Sequence, residues 1–489
     1  MRRWVSNAAF DSTAAPLIRR ASSTEGIFVS GAGTLLEAGT GGAPELSRTL
    51  LPRHVSMIAI GGIIGAGLFV GSSTTISLTG PAAVISYLIA GVLILLVMRM
   101  IAEMAIVLDG VQSFPDFGRA GIGHLAGFLS GWLYWYFWVV VVAVEAIAGA
   151  KIIGTWLPGV PVWAIGVALM ALMTGVNLLS TRSYGEFEFW FASIKVAAII
   201  VFIAACAAWV MGLTAPGGAS VANLTAHGGF APHGWGPVLA GVTSTIFALC
   251  GAEIATIAAA ESPDPAKIIA RMTVSVMVRI VVFYVLAIGL IVTVVPWTSV
   301  VPGHSPFATT LAAMAIPGGE TIMSAVVLVA VLSCLNSGLY VTSRALFGLA
   351  RHGDAPNWLV HLSDRKVPAR AIIAASLFAY GALAAERLSP DTVFSFLVNS
   401  SGVTMILLYM LVAVAQLRIR TRVEREDPAR LTLKMWFHPF GTLIAIAAML
   451  AVLVFMGLQP ALASQLWLSL LVAGGFAAAF WLLRAGRRA

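Results

Sequence analysis

The chain has 489 residues, of which 59% are hydrophobic and only 10% charged, with a mean hydropathy of +0.94. An ordinary soluble domain carries roughly a quarter of its residues as charges, so 29 basic and 21 acidic side chains cannot surface a soluble enzyme or a disordered scaffold of this length. The net charge of +8 is no nucleic-acid footprint either, because the basic residues lie between apolar runs and not on one aromatic-interleaved face.

Residues 1–48 are rich in Ser, Ala, Gly and Arg and hold no sustained apolar run, which excludes a secretory signal peptide and predicts a disordered cytoplasmic tail. Beyond them the apolar runs are about 20 residues long and near-continuous, the pattern of helices and not of a β-barrel with alternating segments of about ten. They predict helices near 54–79, 82–107, 124–150, 161–180, 187–211, 238–261, 270–296, 320–350, 369–386, 392–416, 435–457 and 464–483. Thr79-Gly80-Pro81, Leu157-Pro158-Gly159, Ala215-Pro216-Gly217-Gly218 and Pro317-Gly318-Gly319 mark breaks between them. The expectation is an all-α integral membrane protein, with a transmembrane domain over 49–483 and a short cytoplasmic tail over 484–489.

Twelve spans place both termini on one side. With that side cytoplasmic, the outer loops hold only Lys151 and Arg387, and Arg99, Lys195, Arg279 and Arg344 lie within or at the edge of spans. Every other basic residue then falls inside, as the positive-inside rule requires of a multi-pass protein of the cytoplasmic membrane.

The first span carries Gly61-Gly62-Ile63-Ile64-Gly65-Ala66-Gly67-Leu68-Phe69. Glycine at this density weakens a helix, and two readings stand. An unwound stretch would expose backbone N–H groups able to hold a carboxylate at mid-membrane; alternatively, Gly61/Gly65 and Gly67/Gly71 are small-xxx-small pairs for close helix packing. The third span holds Trp132-Leu133-Tyr134-Trp135-Tyr136-Phe137-Trp138, read as packing, and Glu145 in its outer half. The sixth offers Phe247-Ala248-Leu249-Cys250-Gly251-Ala252-Glu253, a second interruption that matches the first and points to a repeat interface.

An ionisable group inside a span costs at least about 2.5–3.5 kcal/mol on insertion scales, so each needs a reason. Lys195, in the fifth span, fits a proton-coupling strut or a permanent salt bridge to Glu145 or Glu253. Glu103, near the inner end of the second span, reads as a partner of Arg99 one turn earlier. Ser333-Cys334-Leu335-Asn336-Ser337 and Asn399-Ser400-Ser401-Gly402 suit interhelical hydrogen bonds or a wet cavity. Cys206, Cys250 and Cys334 lack CxxC or CxxH spacing and read as small core residues. With no nucleophile–base–oxyanion set, no nucleotide-binding glycine loop and no metal-ligand cluster, neither an enzyme nor a cofactor is expected.

The chain resembles the bacterial amino acid permeases of the amino acid, polyamine and organocation superfamily. The resemblance rests on Arg53-His54-Val55-Ser56-Met57 running into the glycine-rich segment, Arg99-Met100-Ile101-Ala102-Glu103-Met104, Gly131-Trp132-Leu133-Tyr134-Trp135 and Asn177-Leu178-Leu179-Ser180. It extends through Tyr184-Gly185-Glu186-Phe187-Glu188-Phe189-Trp190, Gly251-Ala252-Glu253-Ile254, Ala258-Ala259-Ala260-Glu261-Ser262, Ser333-Cys334-Leu335-Asn336-Ser337 and Gly353-Asp354-Ala355-Pro356. It covers about residues 48–440.

The resemblance implies a LeuT-like five-plus-five inverted repeat with broken helices one and six and two extra C-terminal helices. It also implies proton-coupled uptake of an amino acid, 4-aminobutyrate being favoured and other ω-amino or neutral amino acids next. By the same resemblance the substrate carboxylate meets backbone amides of Ile64, Gly65, Ala66 and Gly67. The amino group meets carbonyls near Ile60 or Ile63 and Phe247, with Glu145 or Glu253 as possible acidic partners. Phe247 gates the site beside Ala248 and Cys250, and Lys195 bridges helices one and eight. Phe247-Ala248-Leu249-Cys250 departs from the Phe-Ser-Phe-Met associated with 4-aminobutyrate carriers, which changes the pocket wall. The partners expected are thus an amino acid, a proton and membrane lipid, with no nucleic acid.

Overall fold

The computed structural model describes residues 64–108, 113–179, 181–214, 221–251, 280–365 and 367–486. The expected tail over 1–48, together with Ile60, Ile63 and Glu253, lies outside them. Among the described residues every regular element is helical, and nine stretches are long and apolar enough to cross a membrane.

The longest run, Ala66–Val107, contains two of the expected spans, because Gly80 takes a positive φ of 65° and turns the chain before the helix Ala83–Val107. Shorter apolar stretches at Trp235–Leu249 and Val282–Val294 fall in the expected sixth and seventh spans. The remaining spans are His124–Trp156, Val162–Leu179, Thr181–Val210, Gly319–Arg351, Ala369–Leu388, Pro390–Glu426, Phe440–Leu458 and Pro460–Gly486.

Burial sorts these helices into a centre and a rim. Of their most apolar windows, 78% is buried in the third and tenth spans but only 17% in the twelfth. The rim exposes Leu172, Trp190, Val201, Ile444 and Leu471; so continuous an apolar surface needs lipid as its solvent. The third span packs against the eighth, ninth, tenth and twelfth, so a change along it is felt across the whole bundle.

Two short helices were not anticipated. Phe114–Gly121 is capped by Ser113, whose hydroxyl oxygen accepts the Asp116 N–H at 3.4 Å, and Pro306–Ala313 is capped by Ser305 on the Ala308 N–H at 3.4 Å. Serine at the cap with proline in the first turn is a legible start signal, but eight residues are too few to register as a span. The tenth helix also outruns its predicted end at 416. Its last turns are polar and project beyond the apolar region, held in part by an Arg420–Glu424 pair at 2.7 Å across one turn.

Glu103 corrects the sequence reading. It does not pair with Arg99, whose guanidinium donates to the Lys434 carbonyl at 2.8 Å and lies over the Trp436 ring. Glu103 is buried and accepts from Gln416 at 2.7 Å, from Arg420 at 2.6 Å and from the Met435 N–H. A buried carboxylate needs several donors at once, and the tenth span with its following loop supplies them better than one flexible neighbour.

Candidate functional site

In the described part of the first expected span, Gly65 is extended (φ −135°, ψ −154°) ahead of the short helical stretch Ala66–Phe69. A helix start leaves its first N–H groups without intrahelical acceptors. The Ala66 N–H points at the Glu145 carboxylate, 3.0 Å from Oε1 and 3.1 Å from Oε2. Glu145 is 1% exposed, so a backbone dipole and a side-chain charge from the third span meet inside the bundle.

The described part of the expected sixth span faces that helix start. Its helix Val242–Leu249 stops at Cys250, which is extended (ψ 151°), and Gly251 follows with φ 104°. The two segments touch. A β-carbon on Gly67 would lie 2.7 Å from Ala248 Cα, and one on Gly65 would lie 2.5 Å from Glu145 Oε1 and 2.7 Å from Cys334 Sγ. Gly65 and Gly67 thus allow close approach of neighbouring elements at this point, while Gly61, the partner of Gly65 in the expected small-xxx-small pair, lies outside the described residues.

Gly65, Gly67, Phe137, Trp138, Val141, Glu145, Phe247, Ala248, Cys250 and Cys334 line one cavity of about 20 Å³. That is room for about one water. Beside it the Lys195 ammonium, fully buried, donates to Ser333 Oγ at 2.8 Å and is near enough to act electrostatically on the Glu145 carboxylate. The eighth span thus supplies Ser333 to the lysine and, one residue on, Cys334 to the cavity.

Of the residues singled out in the sequence, Gly65, Gly67, Glu145, Phe247, Ala248 and Cys250 converge on this cavity, and Ala66 contributes its amide. Ile64 is buried in the apolar core instead. Asn336 makes an interhelical bond with Asn177 at 2.8 Å, and Asn399 accepts from Thr243 at 3.3 Å. The sequence reading missed Phe137, Trp138, Val141 and Cys334. The first three sit eight, seven and four residues before Glu145 and so share its helix face; that spacing was the available signal. The cysteine spacing points to plain core packing for Cys206, Cys250 and Cys334; all three are buried and none is in a disulfide, yet Cys250 and Cys334 also line the cavity.

A helix start in the expected first span and a helix end in the expected sixth, meeting at one buried polar centre, fit the construction of a secondary transporter. Residues 54–485 match the amino acid permease family. The chain belongs to that family, and with it to the multi-pass membrane carriers of the amino acid, polyamine and organocation superfamily. It is 45% identical over 431 residues to the gamma-aminobutyric acid permease of Bacillus subtilis, covering 88% of this chain and 92% of the relative. It is 44% identical to a probable GABA permease of Pseudomonas aeruginosa, covering 85% of this chain and 88% of that one. Against the gamma-aminobutyric acid permease of Escherichia coli the identity is 42%, covering 85% and 90%.

Proposed function

We propose that the protein is a proton-coupled importer of amino acids in the cytoplasmic membrane, with both termini in the cytoplasm and 4-aminobutyrate as its favoured substrate. The observation that carries this reading is the Ala66 N–H held by Glu145 where the described ends of the first and sixth expected spans meet. The three relatives named for 4-aminobutyrate support the substrate.

A zwitterion suits this centre. Its carboxylate takes the Ala66 amide from Glu145, and the released Glu145 turns to the substrate ammonium, so that neither charge is left without a partner in the dry interior. Glu253 is the second candidate acid, and Ile63, Ile64, Gly65 and Gly67 supply the surrounding backbone. Phe247, Ala248 and Cys250 form the wall that reads substrate shape. Lys195, between Ser333 and the Glu145 charge, carries the coupling to the proton. One bundle of helices then rocks against the other around the site.

Uptake of labelled 4-aminobutyrate into proteoliposomes, challenged with asparagine, lysine, proline, β-alanine and aromatic amino acids, tests the substrate. Transport of an α-amino acid without 4-aminobutyrate would refute it and leave the family membership standing. The small Ala248 and the thiol of Cys250 favour one second reading, a carrier or exchanger for another neutral or ω-amino acid, since pocket shape discriminates such substrates by only about 1–3 kcal/mol per methylene. For coupling, Lys195→Met is expected to abolish uptake driven by an imposed pH gradient while sparing counterflow exchange. Equal loss of both would make Lys195 a structural strut.

A further inference from the structure

Away from the proposed transport site, the polar end of the tenth span and the connector helix Phe114–Gly121 flank an open surface groove of about 680 Å³. Arg119, Arg418, Arg422 and Arg425 line it, and Glu426 is the one acidic residue among its lining. Arg418, Arg422 and Arg425 stand at i, i+4 and i+7 and so share a helix face. Arg420, turned away from them, is spent on Glu103 and Glu424, and Arg119 is bound to Asp354. The other three arginines make no ion pair or hydrogen bond among the described residues.

A bias of basic residues toward one side of a membrane requires charges in loops; it does not require them to converge on a concavity, where their mutual repulsion is a cost that an anion offsets. Arginine's planar fork fits phosphate oxygens two at a time. The position of the groove names the source of the phosphate. Arg418 to Arg425 cover about 10 Å of helix at 1.5 Å per residue, immediately past the apolar part of a span, which is the depth of lipid headgroups. The lipid-facing twelfth span reaches the same end: Phe480 packs on His124 at 5.1 Å, and His124 contacts the same Asp354 that holds Arg119. We propose that this groove binds the phosphate of an acidic phospholipid headgroup. It does not draw on the assignment of the transported substrate.

The test is lipid retention by the purified full-length chain, measured by native mass spectrometry with phosphatidylglycerol against phosphatidylcholine. Wild type is expected to keep phosphatidylglycerol selectively, and the combined R418Q, R422Q and R425Q variant to lose at least about tenfold of that retention. The combined lysine variant at the same three positions is expected to fall between them, keeping charge but losing the fork. Should the triple variant elute as an aggregate, R422Q alone gives the same readout at about fivefold. Unchanged retention in the variants overturns the proposal. So does displacement of the lipid by millimolar inorganic phosphate, which would make the groove a site for a soluble anion.

Discussion

Gly402 lies in the tenth span against the backbone of the sixth, and a β-carbon added there would sit 1.9 Å from the Thr243 carbonyl oxygen. Backbone cannot give way as a flexible side chain can, so Gly402→Ala is expected to destabilise the protein by about 3 kcal/mol or more. Gly381→Ala, in the ninth span with open space around it, should be neutral or gain about 0.5–1 kcal/mol of helix propensity. Thermal midpoints in detergent compare the two. In the sequence Gly402 marked only the end of a polar cluster, and nothing in its neighbours says which glycine meets another backbone; that depends on helix rotation. Glu145 was more legible, because an acid in an apolar run must find donors, yet its donor was not. Glu145→Gln keeps the acceptor for Ala66 but removes the charge proposed to meet a substrate ammonium. KM should rise by about 10–100-fold, the worth of one charge-assisted hydrogen bond, with a smaller effect on the maximal rate. A change in the maximal rate alone would count against that contact.

The second and tenth spans and the loop leading to the eleventh are tied by one buried polar group of residues. Glu103 receives Gln416, Arg420 and the Met435 N–H, while Thr442 of the eleventh span donates to Gln416 at 2.9 Å. Removing one charge leaves the other buried without its counter-ion, so Arg420→Met is expected to cost about 3–5 kcal/mol. The double change Glu103→Leu with Arg420→Met should recover most of that loss, because an apolar pair of similar volume is no longer penalised. Denaturation monitored by tryptophan fluorescence separates the cases, and additive losses would deny the pairing. The spans themselves were readable from hydrophobic runs alone, with starts near 83, 124, 162, 319, 369 and 440 within a few residues of those expected. The helices Phe114–Gly121 and Pro306–Ala313 and the polar extension of the tenth span were not, since the first two are too short and the third too polar to register as an apolar run of span length.

The cavity proposed to take the substrate is almost closed, at about 20 Å³, so on that proposal an amino acid enters only after the bundle moves. At the end of the bundle opposite the arginine groove, Lys151 of the third span pairs with Glu386 of the ninth at 3.5 Å, and the Gly303 N–H donates to Ser73 Oγ of the first span at 2.9 Å. On the proposed transport cycle these contacts would hold that side shut. Glu386→Gln is expected to shift the population toward opening there, read as faster modification of Cys334 by a membrane-impermeant thiol reagent in an otherwise cysteine-free chain. An unchanged rate would show that the pair does not control access. The bond between Ala66 and Glu145 also has a meaning for biosynthesis, because the two residues are 79 positions apart and enter the bilayer in that order. The amide is already inserted when the acid emerges from the ribosome, and Lys195 follows two spans later to balance the acid's charge. Ser333 arrives 138 positions after Lys195. A nascent chain halted after its fifth span therefore carries a matched acid and base into lipid, while the hydroxyl that completes the lysine's coordination is still untranslated.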